Sequence, residues 1–286
     1  MRRSLPLFLL LLATATLAHE FWLQPASFRV AAGKAVPVQL LVGEGLAKGE
    51  PWARPTRKVR RFVCLGAFGP ADSLDLRPAL RADSVAPVLR CTGPGTQTVL
   101  LTSWPAFVEL DADKFTAYLR EEGLDLALKR REELGQTHTK PGREAYRRSA
   151  KTLLLASPGT SARALDPRAD TAFRRPLGLP LELVAEQNPY RLKAGAALTV
   201  RVLRFGQPVR GALVQVWDGS TAPASHFSTR TNREGRVLLR LPGAGPYLLA
   251  AVSMETAPPA LAARADWLST WASLTFGGPT ALLNGR

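Results

Sequence analysis

Period-two alternation of apolar residues, interrupted by glycine-containing turns, is the feature that most limits the folds open to this chain of 286 residues. Val36, Val38 and Leu40 occupy alternate positions of one such run. The segment "TNREGRVLLRLP" (residues 231–242) places a tight Asn-x-x-Gly turn directly before a second alternating run. Alternation of this kind is typical of β-strands with one buried face. The pattern therefore predicts a mainly β protein.

The alternating runs fall into two groups. A stretch over residues 157–178, rich in Pro, Arg, Asp and Ala, separates them and predicts a linker or a long surface loop. A second β unit then starts near Leu179. Its hairpins resemble those of small exported β-sandwiches of the transthyretin-like or carboxypeptidase-regulatory type. We predict two Ig-like or transthyretin-like β-sandwich domains, over residues 19–178 and 179–286.

One segment departs from the β pattern. Between Leu110 and Gly135, Phe115, Tyr118 and Leu119 recur at helical spacing after aspartates that can cap a helix. Gly123 is expected to divide the segment into two short helices. We predict a helical insertion near residues 111–150 of the first domain. After the helices, "THTKPGREAYRRSAK" is interpreted as a loop or short helix, and "TLLLAS" then returns to strand.

The first 18 residues have the order of a secretory signal peptide. Two arginines precede an apolar run from Leu5 to Leu12, and small residues follow. The apolar run is shorter than the roughly 20 residues of a membrane-spanning helix. We expect cleavage after Ala18, with cleavage after Ala15 or an uncleaved anchor as alternatives. The expected location is periplasmic or secreted.

The two cysteines, Cys64 and Cys91, both lie in strand-like segments. In an oxidising compartment an even pair predicts a disulfide. Two buried thiols that pack as small apolar groups are the alternative.

Charge and motifs exclude several functional classes. The net charge of +15 favours anionic partners such as lipid headgroups or polymers. The basic residues are spread along the chain without the aromatic pattern of a nucleic-acid module, so we expect no nucleic-acid partner. The sequence contains no GxSxG, HExxH, GxxxxGK[ST] or strand-to-helix GxGxxG motif. We therefore expect a non-enzymatic protein with no catalytic residue.

His19 is the candidate metal ligand because cleavage after Ala18 would make it the first residue. Its α-amine and ring Nδ1 can then chelate one metal ion, and nitrogen-rich planar sites suit Cu(II) or Ni(II). A second histidine, His226 or less directly His138, would complete a three-nitrogen site. The alternative is that His19 is merely a polar residue at a frayed terminus.

A basic segment, "KPGREAYRRSAK" (residues 140–151), is the candidate anion-binding site. Arg143, Arg147 and Lys151 could contact an anionic group together. In the alternative interpretation these side chains form a solvated face, and Arg143 and Lys151 pair with carboxylates of the helical segment.

Several segments together resemble one family. They are "AHEFWLQP" after the signal peptide, "AFVELDADKFTAYLREEGLD", "PGREAYRRSAKTLL", "RPLGLPLELVAEQNPYRLKAG" and "DWLSTWASLTF". This ordered set is similar to the exported domain-of-unknown-function family 4198, from His19 to Phe276. The resemblance implies a periplasmic protein related to cobalt and nickel transport, with His19 in the family's opening motif. Where this chain has Ser253, the family often has a histidine, and His226 or Met254 could replace that ligand.

These observations lead to one functional hypothesis and one alternative. The hypothesis is an exported soluble protein that binds Ni, Co or Cu through His19 as a transport or delivery accessory, with a membrane metal transporter as partner. The alternative is a non-catalytic envelope module whose basic surface contacts anionic lipid or polymer.

Overall fold

A computed structural model describes residues 20–53, 55–67, 69–80, 86–90, 93–158, 166 and 169–279. The strands are β1 Glu20–Pro25, β2 Arg29–Ala31, β3 Ala35–Gly43, β4 Gly49–Pro51, β5 Val59–Gly66, β6 Gly69–Asp75, β7 Val88–Arg90, β8 Gly95–Ser103, β9 Ala106–Leu110, β10 Gly142–Ser157, β11 Glu182–Ala185, β12 Ala197–Arg204, β13 Gln207–Pro208, β14 Leu213–Asp218, β15 Ser225–Arg230, β16 Arg236–Arg240, β17 Pro246–Thr256 and β18 Trp267–Gly277. The α-helices are α1 Pro55–Lys58, α2 Ala112–Glu121 and α3 Asp125–Glu133, with short 3₁₀ turns at Arg77–Ala79, Ala172–Arg174 and Pro189–Arg191. The predicted mainly β class is confirmed.

Most strands belong to one ten-stranded sheet. Its order is β15-β14-β17-β18-β10-β8-β5-β6, and β2 and β9 also pair with β10. The central pair β10 and β18 is parallel, whereas β17 runs antiparallel to β18 and β8 runs antiparallel to β10. Two four-stranded sheets complete the fold, one from β1, β3, β4 and β7 and the other from β11, β12, β13 and β16.

The two small sheets pack on opposite faces of the long sheet. Leu154 on β10 belongs to a core with Phe21 and Leu23 of β1. Its neighbour Leu153 belongs to a different core with Leu183 of β11. Because successive strand residues point to opposite faces, the two cores lie on either side of β10. This double burial explains why all eleven residues of β18 are buried.

The two helices α2 and α3 form the connection between β9 and β10, which pair antiparallel from Gly142↔Leu110 to Tyr146↔Ala106. Phe115, Tyr118 and Leu119 of α2 pack with Trp271 of β18 in a third cluster. A Cβ at Gly142 would lie 2.1 Å from the Phe115 ring. Only glycine therefore allows α2 to sit this close to the start of β10.

The predicted helical insertion is confirmed in type but not in extent. Its helices end at Glu133, and residues 142–157 form the single long strand β10 rather than a loop followed by a short strand. The prediction failed because Arg143, Glu144, Arg147 and Lys151 interrupt the apolar alternation. In the structure these polar side chains find partners within the protein.

Strands from both predicted domains hydrogen-bond within the long sheet, since β5, β8 and β10 precede residue 178 and β14, β17 and β18 follow it. A boundary near residue 178 therefore does not coincide with a boundary between sheets. Among the described residues, no helix has both the length and the apolar character needed to cross a membrane.

Candidate functional site

A groove opens beside the first strand, on the face of the long sheet that carries the first core. It has a cavity volume of about 460 Å³. Its walls come from β3 and β4 on one side and from β9 and α2 on the other, and Glu144, Arg148 and Trp271 lie on its floor. A cavity of this size is in the range of small-molecule and cofactor sites.

Glu144 is the buried carboxyl group in this groove, and it is 3% exposed. The Tyr118 hydroxyl donates to its Oε1 at 3.2 Å, and the Ser269 hydroxyl donates to the same oxygen. The Trp271 Nε1 in turn donates to Ser269 Oγ at 3.2 Å. Burial raises the pKa of Glu144 to about 7, although these neutral donors oppose the shift.

Glu20 and Glu122 are two further buried carboxyl groups, and the charges of Glu20 and Glu144 both act on Glu122. We name Glu20, Glu122 and Glu144 the acidic cluster, of which only Glu144 lines the groove. Glu20 opens β1 opposite Gly43, and Glu122 directly follows α2. Burial raises the pKa of Glu20 to about 7, with further repulsion from Glu121 and Glu44. Burial raises the pKa of Glu122 to about 8, and the charges of Glu20, Glu121 and Glu144 add to the shift.

Local structure explains the position of Glu122. Gly123 has a left-handed φ of +62° and ends the helix, with its N–H donating to the Arg120 carbonyl. Glu122 thus lies at the C-terminal end of α2, where the helix dipole also disfavours a negative charge. The same position would be favourable for a bound cation.

The acidic cluster lacks a basic partner in the part of the chain that the structure describes. No lysine or arginine there lies within ion-pair distance of Glu20, Glu122 or Glu144. Three buried carboxyl groups without a cation must either hold protons or share a positive ion. Within the described residues alone, however, no three His, Cys, Asp or Glu side chains are arranged to hold a metal ion.

The two basic side chains that line the groove, Lys48 and Arg148, do not pair with the acidic cluster. Lys48 pairs with Glu44 at 2.9 Å on the exposed rim. Arg148 is partly buried, with its guanidinium 5.5 Å from the Phe21 ring, 5.6 Å from the Trp52 ring and 5.0 Å from the Tyr146 ring. Burial lowers the pKa of Arg148. Cation–π contacts with these rings account for its position.

The predicted metal ligands are only partly described. His19 lies outside the described residues, immediately before Glu20 in the chain. His226 lies on the exposed strand β15, where its Nε2 is 2.9 Å from Gln215 Oε1 and its ring stacks on Trp217 at 4.7 Å. His138 is exposed, with its Nδ1 2.5 Å from Asp113 Oδ1. The pairing of His19 with either histidine stays a prediction.

Ser253, where the family resemblance implied a histidine, and Met254, a candidate replacement ligand, both lie on β17. Both line a second, shallower cavity of about 320 Å³ beside the turn between α2 and α3. Met254 also packs against the cluster that holds Trp271.

The three predicted anion-binding residues share one face of β10, and each has a partner within the protein. Arg143 donates to Asp266 at 2.8 Å, which lowers the pKa of Asp266. Arg147 donates through Nε to Thr270 Oγ1 at 2.9 Å. Lys151 is buried and its Nζ lies 2.9 Å from Glu182. The partners thus differ from the helix carboxylates that the alternative interpretation named.

The predicted disulfide is described at one end only. Cys64 lies on β5, buried in the first core, with its Sγ 3.8 Å from Gln97 Oε1. Cys91 lies outside the described residues. The bridge between them stays a prediction.

The sequence analysis did not single out the acidic cluster, because Glu20, Glu122 and Glu144 look like any of the carboxylates scattered along the chain. The segment "REAYRRSAK" holds one sequence signal for Glu144, which precedes the alanine and tyrosine of a strand-like run. Only the pairing of β10 with β18 shows that this residue is buried.

Fold and site together define a mainly β protein with a groove that holds Glu144, one of three buried carboxyl groups without a basic partner among the described residues. The profile of the family described as "Domain of unknown function (DUF4198)" matches residues 16–255. The chain belongs to this family, which confirms the resemblance found in the sequence. The family description assigns no activity. Comparison with curated proteins gives no match.

Solved structures show only a weak likeness. Dimeric latent PorU from Porphyromonas gingivalis is 11% identical, with a TM-score of 0.20, and the match covers 92% of this chain and 20% of PorU. A tetra-tandem repeat from the extending region of a large adhesion protein is 8% identical, with a TM-score of 0.21, covering 91% of this chain and 49% of the repeat. Three N-terminal domains of the outer capsid protein Hoc of bacteriophage RB49 are 10% identical, with a TM-score of 0.19, covering 90% and 59%. The chain thus spans less than two thirds of each of these structures.

Proposed function

We propose that this protein binds a divalent transition metal, Ni, Co or Cu, where its first mature residue His19 meets the acidic cluster. The observation that carries the proposal is the buried set Glu20, Glu122 and Glu144, which lacks a basic partner among the described residues and begins at the residue directly after His19. A metal ion would supply the positive charge that these carboxyl groups lack.

The donor set suits such an ion. A free α-amine and the ring Nδ1 of His19 offer two nitrogen ligands, and the cluster offers carboxylate oxygens. The α-amine has an unperturbed pKa near 8 and the cluster carboxyl groups have pKa values of about 7 to 8. Metal binding at neutral pH therefore releases protons, and affinity should rise with pH between about 6 and 8.

His226 remains a candidate second ligand in this proposal. Its Nδ1 can bind metal while Nε2 keeps its contact with Gln215 Oε1. The acidic cluster offers an alternative donor set, so the two options predict different variants with weakened binding.

The cellular role follows from the expected export. We propose a non-catalytic, periplasmic or secreted accessory that delivers the metal to a membrane transporter. The structural part of the proposal is that each small sheet forms a β-sandwich layer with the long sheet, one sandwich within residues 19–178 and the other within 179–286. Two separate hydrophobic cores on opposite faces of β10 support it.

The test is calorimetric titration of the protein beginning at His19 with Ni(II), Co(II) and Cu(II). We expect micromolar or tighter binding of at least one metal and a loss of about tenfold or more in His19→Ala. His226→Ala and His138→Ala decide whether either histidine is the second ligand. Absence of binding for all three metals contradicts the proposal, and tight binding that survives His19→Ala moves the site elsewhere.

A further inference from the structure

A second surface, which is basic where the acidic cluster is acidic, combines arginines with exposed aromatic rings. It consists of Arg60, Trp104, Arg147, Arg204 and Phe205, which we name the arginine–aromatic patch. The Arg60 guanidinium lies 5.2 Å from the Trp104 ring, and those of Arg147 and Arg204 each lie 5.9 Å from the Phe205 ring. Ser103 Oγ accepts from the backbone N–H of Arg148 at 2.9 Å, which brings Trp104, next to Ser103, close to Arg147 and so links the two groups. Arg147 belongs to the predicted anion-binding set.

The patch carries an excess of positive charge. Glu255 is the carboxylate that pairs with Arg147, at 3.9 Å, and also with Arg204. Arg60 forms no ion pair with a described residue and is exposed. Burial lowers the pKa of Arg147, and the nearby charges of Arg204 and Arg60 lower it further. Three arginines against one carboxylate leave a surface that attracts anionic groups.

The aromatic members are unusually accessible. Trp104 is 54% exposed and Phe205 is 55% exposed. Rings of this size are normally buried, and exposed aromatic residues beside cations are typical of surfaces that enter the headgroup region of a membrane.

The backbone at Phe205 is a further, independent observation. Phe205 and Gly206 form the two-residue turn between β12 and β13, with φ values of +48° and +78°. Such a type I′ turn favours Asn-Gly, and a left-handed conformation is unfavourable for a bulky residue. Within the fold, the Phe205 ring makes only the two long contacts with Arg147 and Arg204 that the described residues show. A functional gain from the exposed ring explains the choice.

We propose that the arginine–aromatic patch docks on a lipid bilayer that contains anionic lipids, with Phe205 and Trp104 entering the headgroup region and the arginines contacting lipid phosphates. A bilayer fits better than a soluble polyanion because only a bilayer buries the apolar faces of both rings. The proposal is independent of metal binding at His19 and concerns the opposite chemistry, anion attraction instead of cation binding.

The experiment is co-sedimentation of the purified protein with vesicles of phosphatidylcholine alone and of an equimolar mixture of phosphatidylcholine and phosphatidylglycerol. We expect binding only to the anionic vesicles. Arg60→Gln should weaken it about fivefold, as one cation near an anionic surface contributes roughly 1 kcal/mol. Phe205→Asn should weaken it about tenfold.

Matched controls remove an exposed aromatic ring and an arginine outside the patch, by Phe227→Asn and Arg240→Gln. Both should bind as the unchanged protein does. Thermal unfolding of Phe205→Asn provides the second readout, because asparagine suits the turn and should leave stability equal or higher. Failure to bind anionic vesicles overturns the proposal. So does binding that Phe205→Asn leaves unchanged, since that result indicates a purely electrostatic polyanion surface.

Discussion

Glu144 and Glu182 are both buried carboxyl groups, and their surroundings differ completely: Glu144 belongs to β10 and points to the face of the first core, whereas Glu182 of β11 meets Lys151 on the opposite face of β10. Glu182 receives the Lys151 ammonium at 2.9 Å and backbone N–H groups from Leu177, Gly178 and Leu179 at 2.9 to 3.4 Å. Glu144 receives only the neutral hydroxyls of Tyr118 and Ser269. A structural carboxylate is thus fully compensated within the fold.

A buried carboxyl group without a charged partner, such as Glu144, is a stronger candidate for a functional role than a compensated one, such as Glu182. The Glu182 carboxylate accepts from Lys151 and from the backbone N–H groups of residues 177–179, which ties that segment to β10. The acidic cluster makes no comparable contribution to the fold, because its burial raises pKa values and lowers stability when the groups ionise. In our proposal, a bound metal ion supplies the positive charge that the acidic cluster lacks.

Lys151→Met should lower the free energy of unfolding by about 3–5 kcal/mol, because it leaves the buried charge of Glu182 without its partner. Urea unfolding at neutral pH measures the change. Lys193→Met, at an exposed lysine, is the control and should alter stability by less than about 0.5 kcal/mol. A loss below about 1 kcal/mol for Lys151→Met would show that the ion pair is not the structural element described here.

The metal-free protein should lose at least about 3 kcal/mol of stability as the pH rises from 5 to 8, because each cluster carboxyl group alone accounts for roughly that amount. In the folded state the pKa values of the cluster lie at about 7, 8 and 7, against an ordinary value of 4.5. The folded state therefore binds more protons than the unfolded state between these limits, and stability falls with rising pH. Urea unfolding at several pH values tests this sign, and stability that rises over the window contradicts it.

Glu144→Gln should raise the stability of the metal-free protein at pH 8 by about 1–2 kcal/mol, since an amide keeps the hydrogen bonds without the buried charge. At pH 5, where Glu144 is protonated, the same variant should be nearly neutral. Glu182→Gln is the contrasting variant and should destabilise the protein at pH 8. Equal responses of the two variants would remove the distinction between the two sides of β10.

Tyr118→Phe should lower stability at pH 8 by about 1 kcal/mol, because it removes one of the two hydroxyl donors to Glu144. The effect should shrink in a Glu144→Gln background, which a double-mutant cycle at pH 8 measures. Additive effects would indicate that the tyrosine stabilises the protein through packing against Trp271 alone.

The class of the fold was predictable from local patterns, and its assembly was not. Alternation at Val36, Val38 and Leu40 correctly predicted a strand with one buried face. The full length of strand β10 was not predicted, because Glu144 and Lys151 look like surface residues in the sequence. Their partners Ser269 and Glu182 are more than 30 residues away in the chain. Helix α2 was predicted correctly because its packing residues lie within a single local period.

For the candidate site, the sequence analysis identified His19 but not the acidic cluster. Burial of Glu122 and Glu144 depends on α2 crossing the start of β10, a long-range contact that Gly142 permits. No local rule separates these two carboxylates from the exposed ones around them. The pairing of Lys151 with Glu182 likewise follows from the tertiary structure.

The most direct test of the account is the affinity for Ni(II) of the protein beginning at His19, compared with that of Glu122→Gln/Glu144→Gln, measured by calorimetry at pH 7.5. The account predicts at least about tenfold weaker binding in the double variant, together with fewer protons released per metal bound. Glu132→Gln/Glu133→Gln, which alters two exposed glutamates of α3, should bind as the unchanged protein does. Equal affinity in the unchanged protein and Glu122→Gln/Glu144→Gln would contradict a metal site at the acidic cluster.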